Sequence, residues 1–574
     1  MRKILSLLKG IPLWMSILTP ILIIGEVIME VTIPRIMKDI VDIGIANQDI
    51  AYVTLHGGKM MLMALCSLAF GALAGWTASV ASIGFGTRIR KALFDRVQDF
   101  SFSNVDRFST SSLITRMTTD INNTQQSWMM LIRSLVRSPI MFVSASMMAF
   151  SLNKTLSLIF LIAVPILVAV LVFVVVKAHP RFKVMLEHFD ALNGKIQENL
   201  IGIRVVKAFV REKHENNGFS KTAAELRDAQ VRAERLVIFN MPVLQLMIYA
   251  CILAILWLGG RMVVFGTMGA GALISFISYV NQILMSLMMI SMACTMLVIS
   301  KASITRIAEV LNDTPHIPDD AEGNPDVKDG SIIFENVCFS YNGDEENCTL
   351  NHINLTINSG ETVGILGGTG SGKSTLVHLI PRLYEVTSGS LKVGGIDVRD
   401  YPQETLRNAV SMVLQKNVLF SGTIKENLLW GNPDADDDTV IAACKAAQAD
   451  GFIASFPNGY DTQLGQGGVN LSGGQKQRLC IARALLKKPA IIILDDSTSA
   501  VDTATDSKIR EAFQRELANT TTLIIAQRIS SICDADKIVV MDNGRIDAVG
   551  THEELLASNA IYREVYESQQ KGVA

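Results

Sequence analysis

A glycine-rich stretch between an apolar strand and a predicted helix carries the clearest chemistry in the chain. The strand ETVGIL leads into a match to the pattern G-x-x-x-x-G-K-S. Glycines let backbone N–H groups wrap around phosphates while the N-terminus of the following helix faces them, and the lysine reaches the β- and γ-phosphates. We therefore expect these residues to bind a nucleotide: Gly367, Gly368, Thr369, Gly370, Ser371, Gly372, Lys373, Ser374 and Thr375.

A second apolar strand, AIIIL, ends in two consecutive carboxylates. Asp495 follows its last apolar residue, and Asp496 comes next. Mg²⁺ prefers oxygen ligands, and beside phosphate loops of this kind a loop Ser and a strand-end Asp hold the metal ion that accompanies ATP. We therefore expect ATP and Mg²⁺ as cofactors. Ser374 is predicted to bind Mg²⁺ directly, and Asp495 directly or through water.

The composition divides the chain into two unlike halves. Hydrophobic residues make up 49% of it and the mean hydropathy is +0.33, which is rare for a soluble domain of this size. Residues 1–310 hold 30 of the 52 Lys and Arg but only 18 of the 54 Asp and Glu, so a basic half precedes an acidic one. The eight cysteines form no C-x-x-C pair, which fits a reducing cytosol and indicates neither a zinc site nor a disulfide framework.

Six apolar windows in the basic half are long enough to cross a bilayer. About 20 apolar residues span the hydrocarbon, and such windows lie near residues 13–33, 58–86, 129–150, 155–176, 238–260 and 270–300. The loops after the second and fourth windows are long and charged, with 12 Lys or Arg between Lys177 and Arg235. Since positively charged loops stay in the cytosol, we expect both termini there, in a multi-pass protein of a bacterial inner or plasma membrane.

The two long loops are too polar for lipid but keep a helical pattern. This predicts that the second to fifth spans continue as helices beyond the membrane. Two segments, VDRFSTSSLITRMTTDINN and NGKIQENLIGIRVVKAFVREKHE, contain short breaks or charge clusters. They suit a bend at the tip of each loop, or they are simply solvated helix faces.

The spans also contain charges and a methionine stripe. Glu26 and Glu30 are costly in lipid. Arg35 is close enough in sequence to neutralise Glu30, whereas Glu26 faces a cavity, a partner or the outer interface. Methionines recur at helical spacing in the last span, where they serve either as packing or as an adaptable wall for varied apolar ligands; they are Met285, Met288, Met289, Met292 and Met296.

A segment rich in Pro, Gly and acidic residues, LNDTPHIPDDAEGNPDVKDG, separates the two halves and is typical of a linker. We predict a transmembrane domain with two long intracellular loops over residues 1–310, a linker over 311–330 and a nucleotide-binding domain over 331–574. The expected fold is a six-helix, all-α transmembrane domain with long cytosolic helical extensions, joined to an α/β P-loop ATPase domain.

The segment LSGGQKQRLCIARALLKKP resembles the signature helix of ABC transporters. The spans, the two long loops, ENLIGIRVVKAFVRE in the second loop and the C-terminal ATPase extend this resemblance over the whole chain, to half-size ABC exporters of the multidrug type. It implies that Tyr341 stacks on adenine, that Gln415 contacts Mg²⁺ and the membrane half, and that residues 500–502 lie in the D-loop. It also implies that four signature residues act across a dimer on the partner's ATP: Ser472, Gly473, Gly474 and Gln475.

Two catalytic positions depart from the pattern of this family. The family has Glu after the Walker B Asp and His in the switch loop, whereas this chain has Asp496 and Gln527. Losing one methylene withdraws the carboxylate by about 1.5 Å, and a misplacement of about 1 Å can cost on the order of 10²-fold in rate. Gln also cannot protonate as His can, and Gln466 replaces an acidic residue ahead of the signature. The chain thus resembles the degenerate subunit of heterodimeric exporters, which binds ATP well and hydrolyses it poorly.

We therefore expect one subunit of an ATP-driven heterodimer that moves small amphiphilic compounds, such as drugs or lipids, out of the cytosol. Its LSGGQ would serve the catalytic site of a second ABC half-transporter. A homodimeric exporter with slow turnover at two equal sites is one alternative, and a membrane-bound, ATP-gated sensor or pore is another, although the intact LSGGQ has no purpose there. Six spans and no basic nucleic-acid surface exclude a soluble ABC protein that acts on ribosomes or DNA.

Overall fold

A computed structural model of the chain describes residues 13–314, 317, 326–344, 347–496, 503–516 and 519–571. These residues form two compact units. The first contains the residues up to Gln98 together with Thr110–Asp313, and the second contains Asp99–Ser109 and the residues from Thr314 onward. A short segment of the first long loop therefore belongs to the same unit as the ATPase domain.

In its described part, the first unit consists of helices joined by short turns and loops. A helix is the expected form for apolar segments in lipid because it satisfies every backbone polar group internally. Among the residues that the structure describes, five stretches are long and apolar enough to cross a membrane, and Lys154–Val170 adds a shorter apolar stretch in the fourth predicted span. The helices are α1 (Leu13–Asp39), α2 (Ile50–Gln98), α4 (Thr110–Thr115), α5 (Ile121–Leu152), α6 (Lys154–Ile201), α7 (Ile203–Ala208), α8 (Glu212–Ile238), α9 (Asn240–Val264) and α10 (Ala270–Asn312), with α3 (Phe102–Phe108) in the second unit.

Helices of the first unit are much longer than a membrane span, as we predicted from the polar but helical pattern of the two long loops. Helix α2 has 49 residues and α6 has 48, whereas about 20 suffice to cross a bilayer. Each long loop contains a short helix with a break beside it. Ser109 ends α3 at φ 55°, and Gly202 separates α6 from the six-residue helix α7. The structure thus has a bend in both loop segments.

Helix α10 is fixed to α1 by three polar side chains on one of its faces. Pro34 lies inside α1, and because proline lacks an N–H, the carbonyl of Glu30 one turn earlier loses its helical donor. Gln282 Nε2 donates to this carbonyl at 3.5 Å, Tyr279 O–H donates to the carbonyl of Val31 at 2.8 Å, and Ser275 O–H donates to that of Pro34. These bonds join the first and last spans and satisfy backbone groups near the proline.

Within the described residues, the second unit combines three sheets, the smallest with only two strands, with surrounding helices. Its six-stranded sheet has the order β12-β11-β3-β10-β9-β6, in which β12 alone is antiparallel to its neighbour. A four-stranded antiparallel sheet has the order β2-β1-β4-β5. The strands are β1 (Ile332–Phe339), β2 (Leu350–Ile357), β3 (Thr362–Gly367), β4 (Ser388–Val393), β5 (Ile396–Asp397), β6 (Val410–Val413), β7 (Gly422–Thr423), β8 (Gln463–Leu464), β9 (Ile491–Asp495), β10 (Thr521–Ile525), β11 (Lys537–Asp542) and β12 (Arg545–Gly550).

The helices of this unit follow the strands as in other α/β domains. They are α11 (Lys373–Leu379), α12 (Gln403–Ala409), α13 (Ile424–Leu428), α14 (Asp437–Ala446), α15 (Asp450–Ala454), α16 (Gly473–Leu486), α17 (Thr503–Glu516), α18 (His552–Ser558) and α19 (Ala560–Lys571). Strands β3, β9 and β10 are parallel neighbours, so their carboxyl ends meet at one edge of the sheet. That edge is where the predicted nucleotide residues lie. The helical first unit and the α/β second unit together confirm the predicted fold class.

Candidate nucleotide site

The phosphate loop connects the end of β3 to the start of α11. Its backbone needs glycine at two points, because Gly370 and Gly372 have φ of 84° and 94°, which side chains disfavour. Lys373 Nζ turns back and donates to the carbonyls of Gly367 and Gly368, at 2.9 and 2.7 Å. Burial lowers the pKa of Lys373, and Asp495 and Asp496 oppose this shift. The ammonium therefore lies inside the loop, where β- and γ-phosphate oxygens would replace the carbonyls as its partners.

Two oxygen groups that suit Mg²⁺ lie together at the start of α11. Ser374 O–H donates to Asp495 Oδ1 at 3.1 Å, and Asp495 is buried at the end of β9. Burial raises the pKa of Asp495, while Ser374, His378 and Lys373 lower it. A hydroxyl beside a buried carboxylate matches the ligand preference of Mg²⁺, and a cation there would offset the cost of burying the negative charge. The residues present fit the metal ion that accompanies ATP.

The two altered catalytic positions contact each other. Gln527 follows the end of β10, the parallel neighbour of β9, and its Nε2 donates to Asp496 Oδ2 at 3.1 Å. Asp496 is in the left-handed region, with φ of 50°. Burial, followed by the charge of Asp495, raises the pKa of Asp496, and a hydrogen bond from Gln415 is the largest opposing effect. Asp496, Gln527 and Gln415, far apart in sequence, therefore form one cluster.

Gln477 belongs to this cluster as well, although the sequence analysis did not select it. It lies on α16, the signature helix, where it is 1% exposed, and its Nε2 donates to the backbone carbonyl of Asp496 at 3.1 Å. The sequence does contain a signal, since Gln477 shares the buried face of α16 with Cys480, Ile481 and Ala484. A polar residue on an apolar helix face needs a hydrogen-bond partner. Here that partner is the residue at the hydrolysis position.

The side chain of Tyr341 is packed against neighbouring residues on one part of its ring and exposed to solvent on another. Its hydroxyl bonds with Thr375 Oγ1 at 2.9 Å, its ring packs edge-on against Phe339 and Tyr384, and the residue is 49% exposed. The exposed part is available for stacking on a base. Tyr384, which the sequence analysis missed, donates its O–H to Asp106 Oδ2 at 2.6 Å. Asp106 is on α3, so the loop segment and the tyrosine pair form one contact group within this unit.

The signature residues lie apart from the phosphate loop. Ser472 and Gln475 form a capping box at the start of α16: Ser472 Oγ accepts from the Gln475 N–H at 3.3 Å, and Gln475 Oε1 accepts from the Ser472 N–H at 2.9 Å. Ser472 accepts in this pair, so its own O–H stays available as a donor. Within the described part of the chain, no hydrogen bond connects residues 472–475 with the loop over 367–375. Residues 500–502, the expected D-loop, lie outside the described residues.

Comparisons with known proteins agree with this architecture. Residues 16–287 match the ABC transporter transmembrane region family, and residues 350–499 match the ABC transporter family. An uncharacterized ABC transporter ATP-binding protein of Bacillus subtilis, YfiB, is 40% identical over 570 residues, which cover 99% of this chain and 98% of YfiB. The putative multidrug export ATP-binding/permease protein YgaD of the same organism is 35% identical and covers 86% of this chain and 85% of its own.

A solved structure extends the comparison to three dimensions. The structure of a bacterial Atm1-family ABC exporter with ATP bound superimposes with a TM-score of 0.83. The superposition covers 98% of this chain and 99% of the exporter chain, at 25% sequence identity. Both the helical unit and the α/β unit therefore have counterparts in one protein.

Proposed function

This chain belongs to the half-size ABC exporters, and from that premise we propose that it is the poorly hydrolysing subunit of a heterodimeric pair. Membership establishes a multi-pass membrane protein with an ABC ATPase domain that drives transport, and such a domain implies ATP binding, normally with Mg²⁺. The division of labour between two subunits is the proposal. The observation that carries it is the hydrogen bond between Asp496 and Gln527.

This hydrogen bond involves both residues expected to act on the γ-phosphate. A base there must lie within hydrogen-bond reach of the attacking water. The shorter side chain of Asp496 begins about 1.5 Å further back than Glu would, a displacement on the scale of the misplacements that cost about 10²-fold. Its Oδ2 already accepts from Gln527, which, unlike His, cannot exchange a proton. We therefore assign slow hydrolysis to the ATP at this chain's own phosphate loop.

Binding of that ATP does not depend on the altered residues. In the proposal, residues 367–375 would hold the phosphates, Tyr341 would stack on adenine, and Ser374, Gln415 and Asp495 would hold Mg²⁺. The placement of Lys373 among loop carbonyls and of Ser374 beside Asp495 supports these roles. The ATP stays bound and stabilises the closed pair, and it can do so only through its higher affinity for the closed state.

The signature of this chain serves the partner. Ser472, Gly473, Gly474 and Gln475 would contact the ATP on the phosphate loop of a second ABC half-transporter, where the faster hydrolysis occurs. The capped start of α16 supports this role, because its serine hydroxyl is oriented by the helix and still free to donate. The transported substrates are small amphiphilic compounds moved out of the cytosol, in line with YgaD, a relative described as a putative multidrug export protein.

The first experiment determines the assembly. A tagged copy of the chain is purified from its native membrane with a mild detergent, and the copurifying proteins are identified by mass spectrometry. The proposal expects a second ABC half-transporter in equal amount. Recovery of this chain alone, with ATPase activity, would instead favour the slow homodimer, an alternative that Asp496 supports because it is still a carboxylate at the base position.

A second experiment measures, for each subunit separately, whether the bound nucleotide has been hydrolysed. The purified pair is allowed to turn over photoreactive 8-azido-ATP labelled at either the α- or the γ-phosphate, and is then crosslinked. On this chain we expect equal α and γ label, because intact ATP is retained, and on the partner mainly α label. Loss of γ label at the same rate on both subunits would contradict the proposal. Lys373→Ala is the control for labelling through this phosphate loop.

A further inference from the structure

The last described helix, α19, contacts the switch position through the side chain of Gln569. Its amide makes two hydrogen bonds with the backbone on either side of Arg528. Oε1 accepts from the N–H of Ile529 at 2.9 Å, and Nε2 donates to the carbonyl of Gln527 at 2.7 Å. Gln569 therefore holds the backbone of the residue whose side chain donates to Asp496.

The backbone at the switch position needs such a partner because it has left the sheet. The last residue of β10 that pairs with β3 and β9 is Ile525, and a short 3₁₀ turn begins at Ile529. The first N–H groups of a helical turn have no acceptor within that turn. One planar amide supplies both an acceptor and a donor in fixed geometry, so Gln569 ties the N–H of Ile529 and the carbonyl of Gln527 to the same point.

Helix α19 is in turn attached firmly to the domain. Asn559 caps its first turn, since Oδ1 accepts from the N–H of Tyr562 at 2.8 Å, and Asn559 Nδ2 donates to Asp547 on β12 at 2.6 Å. Tyr562 is fully buried, and its hydroxyl bonds with His552 Nδ1 at 2.7 Å. Tyr562 and Ile529 belong to one hydrophobic cluster. The helix thus gives Gln569 a fixed base, and side chains supported in this way can hold a site to within about 0.5 Å.

We propose that Gln569 is a positioning residue of the nucleotide site, which acts through Gln527. By holding the backbone at the switch position, it sets where the side chain of Gln527 lies relative to Asp496 and to the γ-phosphate. ATP has this phosphate and ADP lacks it. Releasing the backbone should therefore weaken the binding of a nucleoside triphosphate and leave that of ADP unchanged. This assignment rests on the proposed function in one respect, the placement of Gln527 beside the γ-phosphate.

The first arm of the test measures the two hydrogen bonds. Gln569→Met keeps the length of the side chain and removes both bonds. Gln570→Met is the matched control, because Gln570 is on the same helix but donates to the hydroxyl of Tyr566, at 2.8 Å. Hydrogen–deuterium exchange is followed in the full-length assembly in lipid nanodiscs, by mass spectrometry of overlapping peptides that cover residues 526–533. We expect the amide of Ile529 to exchange about tenfold faster in Gln569→Met and at the wild-type rate in Gln570→Met. Unchanged exchange in Gln569→Met would overturn the proposal.

The second arm separates positioning from a purely structural role. This subunit is photolabelled with 8-azido-ATP, and the label is displaced by ADP or by AMP-PNP, which has a γ-phosphate and is not hydrolysed. In Gln569→Met we expect AMP-PNP to bind about fivefold more weakly and ADP to bind as in the wild type. Gln570→Met should alter neither. A helix that only stabilises the domain would affect both nucleotides alike, so an equal loss for both, or no loss for either, contradicts the assignment.

A third variant tests the two bonds one at a time. Gln569→Glu keeps an oxygen that accepts from Ile529 but has no N–H for the carbonyl of Gln527. We expect the amide of Ile529 to exchange as slowly as in the wild type while the binding of AMP-PNP weakens, because the switch residue itself is no longer held. Wild-type binding of AMP-PNP in this variant would refute positioning through Gln527.

The outcomes distinguish the role of Gln569 from the proposed function. If Gln569→Met weakens AMP-PNP alone but the α- and γ-label experiment finds two equal nucleotide sites, the positioning role stands and the division between subunits fails. If that experiment finds two unequal sites but Gln569→Met changes neither exchange nor AMP-PNP binding, the division stands and the positioning role is refuted. AMP-PNP is not hydrolysed, so its binding is independent of the hydrolysis rates.

Discussion

Two regions of the ATPase domain, the start of the signature helix and the end of strand β9, differ in how well their side chains suit ATP hydrolysis. At the signature, Ser472 and Gln475 cap the helix and leave a hydroxyl free to donate. At the end of β9, Asp496 is shortened and bonded to Gln527. The first region would act on a partner's ATP and the second on the chain's own. In the proposed pair, the chain would retain what it offers to a partner and lack part of what its own site would need.

The largest expected effect comes from the signature side. Ser472→Ala removes one donor aimed at the γ-phosphate in the partner's site, so ATPase activity of the pair should fall by about 10²-fold. Ser472→Thr is the control, because it keeps both the hydroxyl and the helix cap. Activity is measured as steady-state phosphate release by the purified pair. If Ser472→Ala leaves this rate unchanged, the signature does not face the working site, and the contrast between the regions disappears.

A smaller effect is expected from the adenine contact on the chain's own side. Stacking of a base on an aromatic side chain is worth about 1–3 kcal/mol, so Tyr341→Ala should weaken ATP binding at this phosphate loop by about tenfold. Tyr341→Phe keeps the ring and loses only the hydroxyl bond to Thr375, and should lose less. Photolabelling of this subunit at graded ATP concentrations measures both. Equal losses for the two variants would show that the hydroxyl, not the ring, carries the contact.

Removing the charge from the phosphate loop tests what bound ATP contributes to the pair. Lys373→Ala should loosen nucleotide here and weaken the closed state without deleting the partner's hydrolysis. Coupling between sites is typically worth about 5–150-fold, and we expect the lower end, a loss of about fivefold in ATPase activity of the pair. The equivalent Lys→Ala change in the partner's phosphate loop is the control and should abolish turnover. Equal loss from both changes would mean that the two sites are equivalent.

The smallest effect is expected from restoring the altered residues. The double change Asp496→Glu with Gln527→His supplies a longer base and a titratable switch residue. Residues of one catalytic unit act non-additively, however. We therefore expect the ATPase activity of the pair to rise by less than about threefold. A second reason is the partner's signature, which would face this site in the proposed pair and which we expect to be altered as well. Single-site trapping of γ-labelled nucleotide measures the gain. A second site as fast as the first would disprove an altered partner signature.

The nucleotide site shows where sequence reasoning succeeds and where it stops. The phosphate loop could be placed because strand, glycines, lysine and helix are contiguous, and Asp495 because it ends an apolar strand. The bond between Asp496 and Gln527 could not be derived from spacing alone. It depends on β9 and β10 being parallel neighbours in register, with Asp495 opposite Ile525. Gln477 and Tyr384 were missed for the same reason, since each bonds to a residue on a distant element.

The membrane unit gives a second example, in which the sequence suggested the wrong partner. Arg35 is the nearest positive residue to Glu30, but five positions along a helix place two side chains on different faces, whereas three or four bring them together. Arg137 reaches Glu30 because α5 packs against α1. For the long loops, local polarity and helix periodicity left two alternatives open, a bend or simply solvated helix faces, and the structure has a break in each loop.

The sequence by itself determined the class of this protein: local patterns of glycine, apolar length and charge specify a phosphate loop, membrane-spanning helices and an ABC ATPase domain, since each depends on neighbouring residues. Only the tertiary structure decided which side chains meet. It joined Asp496 to Gln527, Tyr384 to the loop helix α3, and Gln282 to the carbonyl that Pro34 leaves free. Such contacts connect residues tens to hundreds of positions apart, and their partners are set by how strands register and helices pack.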